Sequence, residues 1–264
     1  MSADDTPYHR HLITHAEHPI AAPLDEPSVA TLLRRALGEA DRRAAGQRPA
    51  GQRLLDLGCG QAAWLVRALA ADPEATAVGV DVDADALAGA ASEAARRGVA
   101  ERLTLVAGDA AGYAAEAARG AFDAVLCVGA THAFGGLERT LAAARGRLAP
   151  GGRLVVGEGF WEREPTPAAL AGLGAEREDF TDLAGVVDLC QAAGLTPVYG
   201  HVSTLAEWDD YEWNWTGSLA GWALDHPDHP RAAEAAADAA EHRAGWLGGY
   251  RGVLGFVTLV LRGR

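Results

Sequence analysis

The chain reads Leu54-Leu55-Asp56-Leu57-Gly58-Cys59-Gly60-Gln61-Ala62-Ala63 over the segment that decides its fold. The apolar residues before Gly58 predict a buried strand, and the residues after Gly60 predict the start of a helix. Glycine has no Cβ atom, so Gly58 and Gly60 allow the backbone to turn sharply and to approach a ligand closely. This pattern predicts a nucleotide-binding turn.

A second signal follows 21 residues after Gly60. There Asp81 ends the apolar run 77–80 and is followed by Val82. A carboxylate at this position of such a fold can accept hydrogen bonds from both hydroxyls of an adenosine ribose. The two signals together predict an adenosyl cofactor.

Strand and helix patterns alternate around these residues. The strands are predicted at 53–57, 77–81, 103–107, 122–128 and 153–157, and the helices at 62–71, 84–97, 111–119 and 137–148. Alternation of this kind predicts an α/β fold with a mostly parallel, doubly wound sheet. Ligands bind beyond the carboxyl ends of such strands, so the residues that follow each strand should meet in one cleft.

Two adenosyl cofactors fit the glycine turn, because Gly58-x-Gly60-x-x-Ala63 also satisfies the dinucleotide fingerprint. Asp56 favours S-adenosylmethionine, since a carboxylate suits its cationic amino-acid end and repels a pyrophosphate. Asp109 and Ala110 follow the third strand and can offer a carboxylate and a backbone amide to an adenine edge. An NAD-dependent oxidoreductase is the weaker alternative, because the chain has no lysine for a Tyr-x-x-x-Lys dyad.

From about Leu54 to Glu158 the chain resembles the class I S-adenosylmethionine-dependent methyltransferases. The family's motifs occur in order as 56–60, Asp81, 108–110 and 150–154. The loop 128–132 and the segment 157–161 also resemble a bacterial group of small-molecule methyltransferases whose acceptor is not generally known. The resemblance implies a seven-stranded sheet whose last strand is antiparallel and lies between the fifth and sixth. The cofactor site we predict comprises Asp56, Gly58, Cys59, Gly60, Asp81, Val82, Asp109, Ala110 and Gly129.

His132 and Glu158 are the candidate catalytic residues, because each follows a predicted strand at its carboxyl end. Methyl transfer from a sulfonium needs mainly positioning and exclusion of water, but a hydroxyl or cationic amine acceptor would also need a base. A structural hydrogen bond for His132 and an arginine pair for Glu158 are the alternatives. A non-catalytic S-adenosylmethionine-binding regulator also stays open.

The remaining segments predict additions to the sheet domain. Residues 1–50 are interpreted as a lid, made of an extended arm and a helix capped by Ser28 that ends near Ala45. Residues 51–264 are the methyltransferase domain, with a helix at 182–193, strands at 196–203 and 253–262, and a tryptophan-rich helical cap at 204–252. Histidines 9, 11, 15 and 18 are interpreted as solvated or lid residues, and histidines 226, 229 and 242 as surface residues.

The composition of the chain indicates which classes of molecule it can bind. The formal net charge of −13 argues against nucleic acid, whose binding requires a basic surface, and favours a small-molecule acceptor. No apolar run approaches the roughly 20 residues that span a bilayer, and the acidic N-terminus does not read as a secretory signal, so we expect no membrane partner and a cytoplasmic location. The three cysteines lack metal-ligand spacing, and no metal is predicted. The methylated atom and the oligomeric state stay open.

Overall fold

The structure, a computed structural model, describes residues 8–38 and 51–263. The chain divides into two compact units. The sheet unit comprises Asp25–Gly159, Ala184–Val202 and Phe256–Arg264. The helical unit comprises Met1–Leu24, Phe160–Leu183 and Ser203–Gly255.

Seven strands form one sheet in the order β3-β2-β1-β4-β5-β7-β6. They are β1 Arg53–Leu57, β2 Thr76–Asp81, β3 Leu103–Ala107, β4 Phe122–Val128, β5 Leu148–Trp161, β6 Leu195–Val202 and β7 Leu254–Gly263. The β1, β2, β3, β4 and β5 pairings are parallel, whereas β6 and β7 are antiparallel. The predicted fold class and the position of the last strand are therefore confirmed, although β5 is much longer than the predicted strand.

Helices of the sheet unit follow the strands in alternation. They are α2 Glu26–Ala36, α3 Ala63–Ala71, α4 Ala84–Arg96, α5 Ala110–Glu116, α6 Leu137–Arg145 and α8 Leu183–Ala192. The predicted cap of α2 was wrong, because Asp25 is the N-cap and its carboxylate accepts from the Ser28 amide at 2.7 Å. Helix α2 ends at Ala36, and residues 39–50, which include the predicted end at Ala45, lie outside the described residues.

The parallel register aligns the carboxyl ends of the central strands. Leu57 pairs with Val80, Asp81 with Ala107, and Val128 with Gly157. The central strands are buried on both faces of the sheet, as the full burial of Leu55, Val125 and Val155 shows. The edge thereby collects the loops that carry the predicted site.

The described part of the helical unit contains α-helices and a π-helical turn, besides a short 3₁₀ helix at Arg177–Asp179. The α-helices are α1 Arg10–Thr14, α7 Pro167–Leu173, α9 Leu205–Asp225 and α10 Ala232–Gly245, and the π-helical turn is Trp246–Tyr250. Helix α9 begins at a capping box, in which Thr204 and Glu207 satisfy each other's backbone amides. Among the described residues, no helix is long and apolar enough to cross a membrane.

A buried polar network joins α9, α10 and the π-helical turn. Glu212 is 2% exposed, and its carboxylate accepts from the Tyr250 hydroxyl and from His242 Nε2, both at 2.7 Å. Trp215 stacks on the His242 ring at 4.0 Å between centroids. His242 is therefore part of the helical packing, although its side chain is still 32% exposed.

The N-terminal arm is more ordered than its sequence indicates. Arg10–Thr14 form a helix that packs against α9, and His15 and His18 are each only 7% exposed. His15 Nε2 lies 3.4 Å from the Tyr211 hydroxyl, and the His18 ring stands edge-on to the same Tyr211. These two histidines are packed residues and not solvated ones.

Candidate functional site

The glycine turn is fixed to the neighbouring strand by two backbone hydrogen bonds. The amides of Gly58 and Cys59 both donate to the Val80 carbonyl, at 2.9 and 3.0 Å. Gly58 has a φ of +82°, and a Cβ atom there would lie 2.4 Å from the Cβ of Ala130. Only glycine fits this position, as the sequence predicts.

Asp81 holds the turn from the opposite side. Its Oδ2 accepts from the Gly60 amide at 2.7 Å, and its Oδ1 accepts from the Asp83 amide at 2.9 Å. Each carboxylate oxygen can accept a further hydrogen bond, so Asp81 is oriented and still able to bind a ligand hydroxyl. Asp83 is instead occupied as the N-cap of α4, where it accepts from two backbone amides.

Asp56 is the most perturbed carboxylate of this edge. It is 3% exposed, and burial followed by the charge of Asp81 raises its pKa to about 7 from an ordinary 3.8. Within residues 8–38 and 51–263, no arginine or histidine pairs with it. A cationic ligand group beside Asp56 would favour its charged form.

Gln61 is a site residue that the sequence reasoning missed. Its Nε2 is buried and has no hydrogen-bond partner among the described residues. A buried amide donor without a partner costs about 1 to 3 kcal/mol, so a ligand acceptor at this position would stabilise the turn. The signal in the sequence was its place directly after Gly60.

The turn also stores backbone strain. Ala62 has a φ of +52° and is the N-cap of α3, which begins one residue later than predicted. The left-handed conformation costs a non-glycine residue about 1 to 2 kcal/mol. A glycine at position 62 would adopt this conformation without that cost, so the strain comes from the alanine side chain.

The predicted adenine-side residues lie at the start of α5. Asp109 is the N-cap of that helix and accepts from the Gly112 amide at 2.7 Å, while Ala110 is buried. Val82, which follows Asp81, is 76% exposed at the same edge of the sheet.

Cys59 of the glycine turn is buried, and burial raises the pKa of its thiol, so it is suited to packing rather than to nucleophilic chemistry.

Thr131 links the loops after β4 and β5. Its hydroxyl donates to the Glu158 carboxylate, which also accepts from the Gly159 amide at 3.0 Å, and Gly129 is tied to β5 through the Gly157 carbonyl at 3.1 Å. Burial raises the pKa of Glu158 despite these bonds. Thr131 was missed, although it follows the same strand as His132.

His132 lies in a short 3₁₀ turn, Thr131–Phe134, and its side chain is exposed. No hydrogen bond or ion pair of its ring occurs among the described residues, so the alternative of a structural hydrogen bond has no support there. Glu158 likewise has no arginine partner within the described ranges. Both candidate residues thus follow adjacent strands, but only His132 lacks a partner among the described residues, because Glu158 is held by Thr131 and by the Gly159 amide.

The residues of this edge fit an adenosyl cofactor with a cationic amino-acid end. They supply an unpartnered buried donor at Gln61, an uncompensated carboxylate at Asp56, an oriented carboxylate at Asp81 and a turn without a Cβ at Gly58. Across the part of the chain that the structure describes, no group of histidine, cysteine, aspartate or glutamate side chains could hold a metal ion.

Comparisons with known proteins agree with this geometry. Residues 55–154 match the model of a family described as a methyltransferase domain. The uncharacterized protein YjhP of Escherichia coli K12 is 33% identical over 232 residues, which cover 86% of each chain. The crystal structure of YjhP has a TM-score of 0.82 and covers 97% of this chain and 99% of its own.

Two further solved structures contain the product form of the cofactor. S-adenosylmethionine-dependent methyltransferases from Geobacter sulfurreducens and Thiobacillus denitrificans, both in complex with S-adenosyl-L-homocysteine, are each 28% identical to this chain. Both have a TM-score of 0.83. The first covers 99% of this chain and the second 98%, and all of each relative's own chain is covered.

Proposed function

Because the chain belongs to the class I family of S-adenosylmethionine-dependent methyltransferases, we propose that it transfers the methyl group of that cofactor to a small-molecule acceptor. It is an enzyme of the methyltransferase class, and S-adenosylmethionine is its cofactor. One observation supports the proposal most directly. Asp56 is a buried carboxylate beside Asp81 without a cationic partner among the described residues.

Each part of the cofactor has a matching group in the turn. Asp56 binds the cationic amino-acid end, Asp81 binds the ribose hydroxyls, and Asp109 with the Ala110 amide binds the adenine edge. Gln61 Nε2 donates to an acceptor atom of the bound cofactor, which removes the cost of its missing partner. The backbone of Gly58, Cys59, Gly60 and Gly129, with Val82, completes the cofactor site.

When bound, the cofactor supplies a methyl group on a sulfonium, already activated for displacement. The contribution of the chain is to hold the acceptor in line with that group and to exclude water. His132 accepts the proton of the acceptor, because its imidazole is exposed and imidazole is the side chain most often used as a general base. Glu158, held by Thr131, orients the acceptor or stabilises its developing positive charge.

A small acceptor is favoured over nucleic acid by charge. Binding to nucleic acid depends on basic side chains that neutralise phosphates and release their counterions. A net charge of −13 does not favour such binding. The expectation that residues 1–50 form a lid and residues 204–252 a cap remains a prediction. Residues 8–24 belong to the helical unit and residues 25–38 to the sheet unit.

The experiment is an acceptor screen with methyl-labelled S-adenosylmethionine against a metabolite library, in which both the label in the acceptor and S-adenosylhomocysteine are measured. We expect stoichiometric appearance of the two products with one class of small acceptor. The matched control is Asp56→Asn, which should lower both products together. Tight cofactor binding with no transfer to any acceptor would favour the non-catalytic regulator, whereas preferential binding of NAD would favour the oxidoreductase.

A further inference from the structure

The negative charge of the protein is concentrated in the helical unit. Its described residues include 16 aspartates and glutamates but 6 arginines, a net charge of −10. The described part of the sheet unit has 16 acidic residues and 13 arginines, a net charge of −3. A unit with such an excess attracts cations and repels anions.

A groove of about 690 Å³ runs along this unit between α1, with the residues that follow it, and α9. Gly217 and Gly221 form part of its floor, and a Cβ atom at either position would meet nothing within 4 Å. Trp213 and Trp222 line it, and Trp213 is 52% exposed. The volume is in the range of about 300 to 1,000 Å³ that is typical of small-molecule sites.

Two carboxylates at this groove are not neutralised. Glu17 and Asp225 line it, and neither has an ion pair or hydrogen bond with the described residues. No arginine lines the groove. Some other acidic residues of the same unit are paired, as Asp209 is with Arg251 and Asp238 with Arg10.

Aromatic rings of this unit already bind cations internally. The Arg10 guanidinium lies over Trp215 at 5.3 Å from the ring centroid, and that of Arg231 lies over Tyr8 at 5.1 Å. Attraction between a cation and an indole or phenol face is worth about 0.5 to 1 kcal/mol at exposed sites. In the groove, Trp222 already stacks on the His226 ring at 4.8 Å between centroids. Trp213, which is half-exposed, lines the same groove as the unpaired carboxylates, and no guanidinium of the described residues lies over it.

We propose that the groove lined by Glu17, Trp213, Trp222 and Asp225 binds a small organic cation of the ammonium type. The carboxylates supply charge complementarity, the half-exposed indole of Trp213 supplies a face for the cation, and the glycines leave space for its substituents. This inference does not depend on which acceptor the enzyme methylates. It adds a ligand site within the helical unit to the cofactor site of the sheet unit.

The test uses two probes of the same shape and different charge, choline and its neutral carbon isostere 3,3-dimethyl-1-butanol. Each is titrated into the full-length protein saturated with S-adenosylhomocysteine, and the indole N–H signals are followed by NMR at pH 8, where imidazoles are neutral. We expect saturable binding of choline with a shift of the Trp213 signal, which is assigned with Trp213→Phe. The isostere should bind at least about fivefold more weakly than choline. Added salt should reduce this difference in affinity, because it screens the charge of choline.

Charge-removing variants locate the site. Asp225→Asn and Glu17→Gln should each weaken choline binding about threefold, as expected for an exposed charge pair. Asp228→Asn is the matched control, because Asp228 is exposed, three residues further along and outside the groove, and it should change binding by much less. Cofactor affinity should be the same in all of these variants.

Four outcomes overturn the proposal: no saturable binding of choline, equal binding of the two probes, equal effects of Asp225→Asn and Asp228→Asn, or a groove occupied by a second copy of the chain. Sedimentation detects the last outcome as a dimer that dissociates when Trp213 is replaced by glutamate. None of the four affects the proposed methyl transfer, which the labelled-cofactor screen tests separately.

Discussion

Asp56 and Asp81 lie on neighbouring parallel strands, and the negative charge of Asp81 adds to burial in raising the pKa of Asp56 to about 7. Two carboxylates this close are unfavourable in the ligand-free protein unless a cation is bound between or beside them. The relationship connects the cofactor turn to measurable pH dependence.

S-adenosylhomocysteine, whose amino-acid end carries an ammonium group, should bind more weakly as the pH falls below about 7. The Asp56 carboxyl is then protonated in the free protein, and binding must expel that proton, which costs up to tenfold in affinity for each pH unit. Calorimetry between pH 5 and 8 measures this dependence. The control ligand is 5′-methylthioadenosine, which lacks the amino-acid end and should show a much flatter profile; equal profiles would contradict the role of Asp56.

Asp56→Asn should stabilise the ligand-free protein while weakening S-adenosylhomocysteine. The pKa of Asp56 is higher in the folded protein, about 7, than in the unfolded chain, 3.8, so ionisation of this carboxyl disfavours folding. The stability that the native protein loses in this way grows as the pH rises from 3.8 through about 7. Urea denaturation should give a gain on the order of 3 kcal/mol at pH 8 and less at pH 5. The exposed Asp188→Asn is the control and should give almost no change. A loss of stability at pH 8 would contradict the raised pKa.

Asp81→Ala should weaken cofactor binding by about 1.5 to 3 kcal/mol, the range for hydrogen bonds to a charged group. Part of the loss will come from the Gly60 and Asp83 amides, which the carboxylate orients in the native turn. Calorimetry on Asp81→Asn, which retains one acceptor oxygen, should give an intermediate value. Asp83→Ala should cost about 1 kcal/mol of stability as a lost helix cap and leave affinity nearly intact. The reverse pattern would assign the ribose to Asp83.

His132→Ala should lower the methyl-transfer rate about 100-fold or more and leave cofactor affinity nearly unchanged, if His132 removes the acceptor proton. The rate at saturating cofactor and the dissociation constant must be measured separately, since activity at one concentration would combine the two effects. Arg139→Ala, on the exposed face of the following helix, is a suitable control. Loss of cofactor binding with unchanged turnover at saturation would place His132 in the cofactor pocket instead.

His15 should make the protein labile to acid. Burial, followed by the nearby His11, lowers the pKa of His15 to about 4 from 6.5, so stability is complete above pH 6.5 and is lost as the pH falls towards 4. At pH 5 the loss is about 2 kcal/mol relative to pH 7.5. Urea denaturation at the two pH values should show this difference in the native protein and a smaller one in His15→Gln. An equal pH dependence in both proteins would mean that another group titrates.

The sequence by itself determined the sheet and the cofactor turn. Gly58 and Gly60 reveal the turn because both have a left-handed backbone, which favours glycine and is a local requirement, whereas the close approach of Ala130 to Gly58 is seen only in the folded chain. Asp81 was found because the βαβ unit fixes the distance along the chain from the turn to the end of the next strand. The order of the last two strands came from the resemblance to the family and not from any local pattern.

Only the tertiary structure decided which polar groups are buried and with what partners. The hydrogen bonds of Glu212 with His242 and Tyr250 require α9, α10 and the π-helical turn to pack together. His242 and Tyr250 lie 30 and 38 residues after Glu212 in the chain. The burial of His15 and the bond from Thr131 to Glu158 are non-local in the same way. Backbone conformation is set by neighbouring residues, whereas desolvation and hydrogen-bond partners depend on segments that meet only in the folded chain.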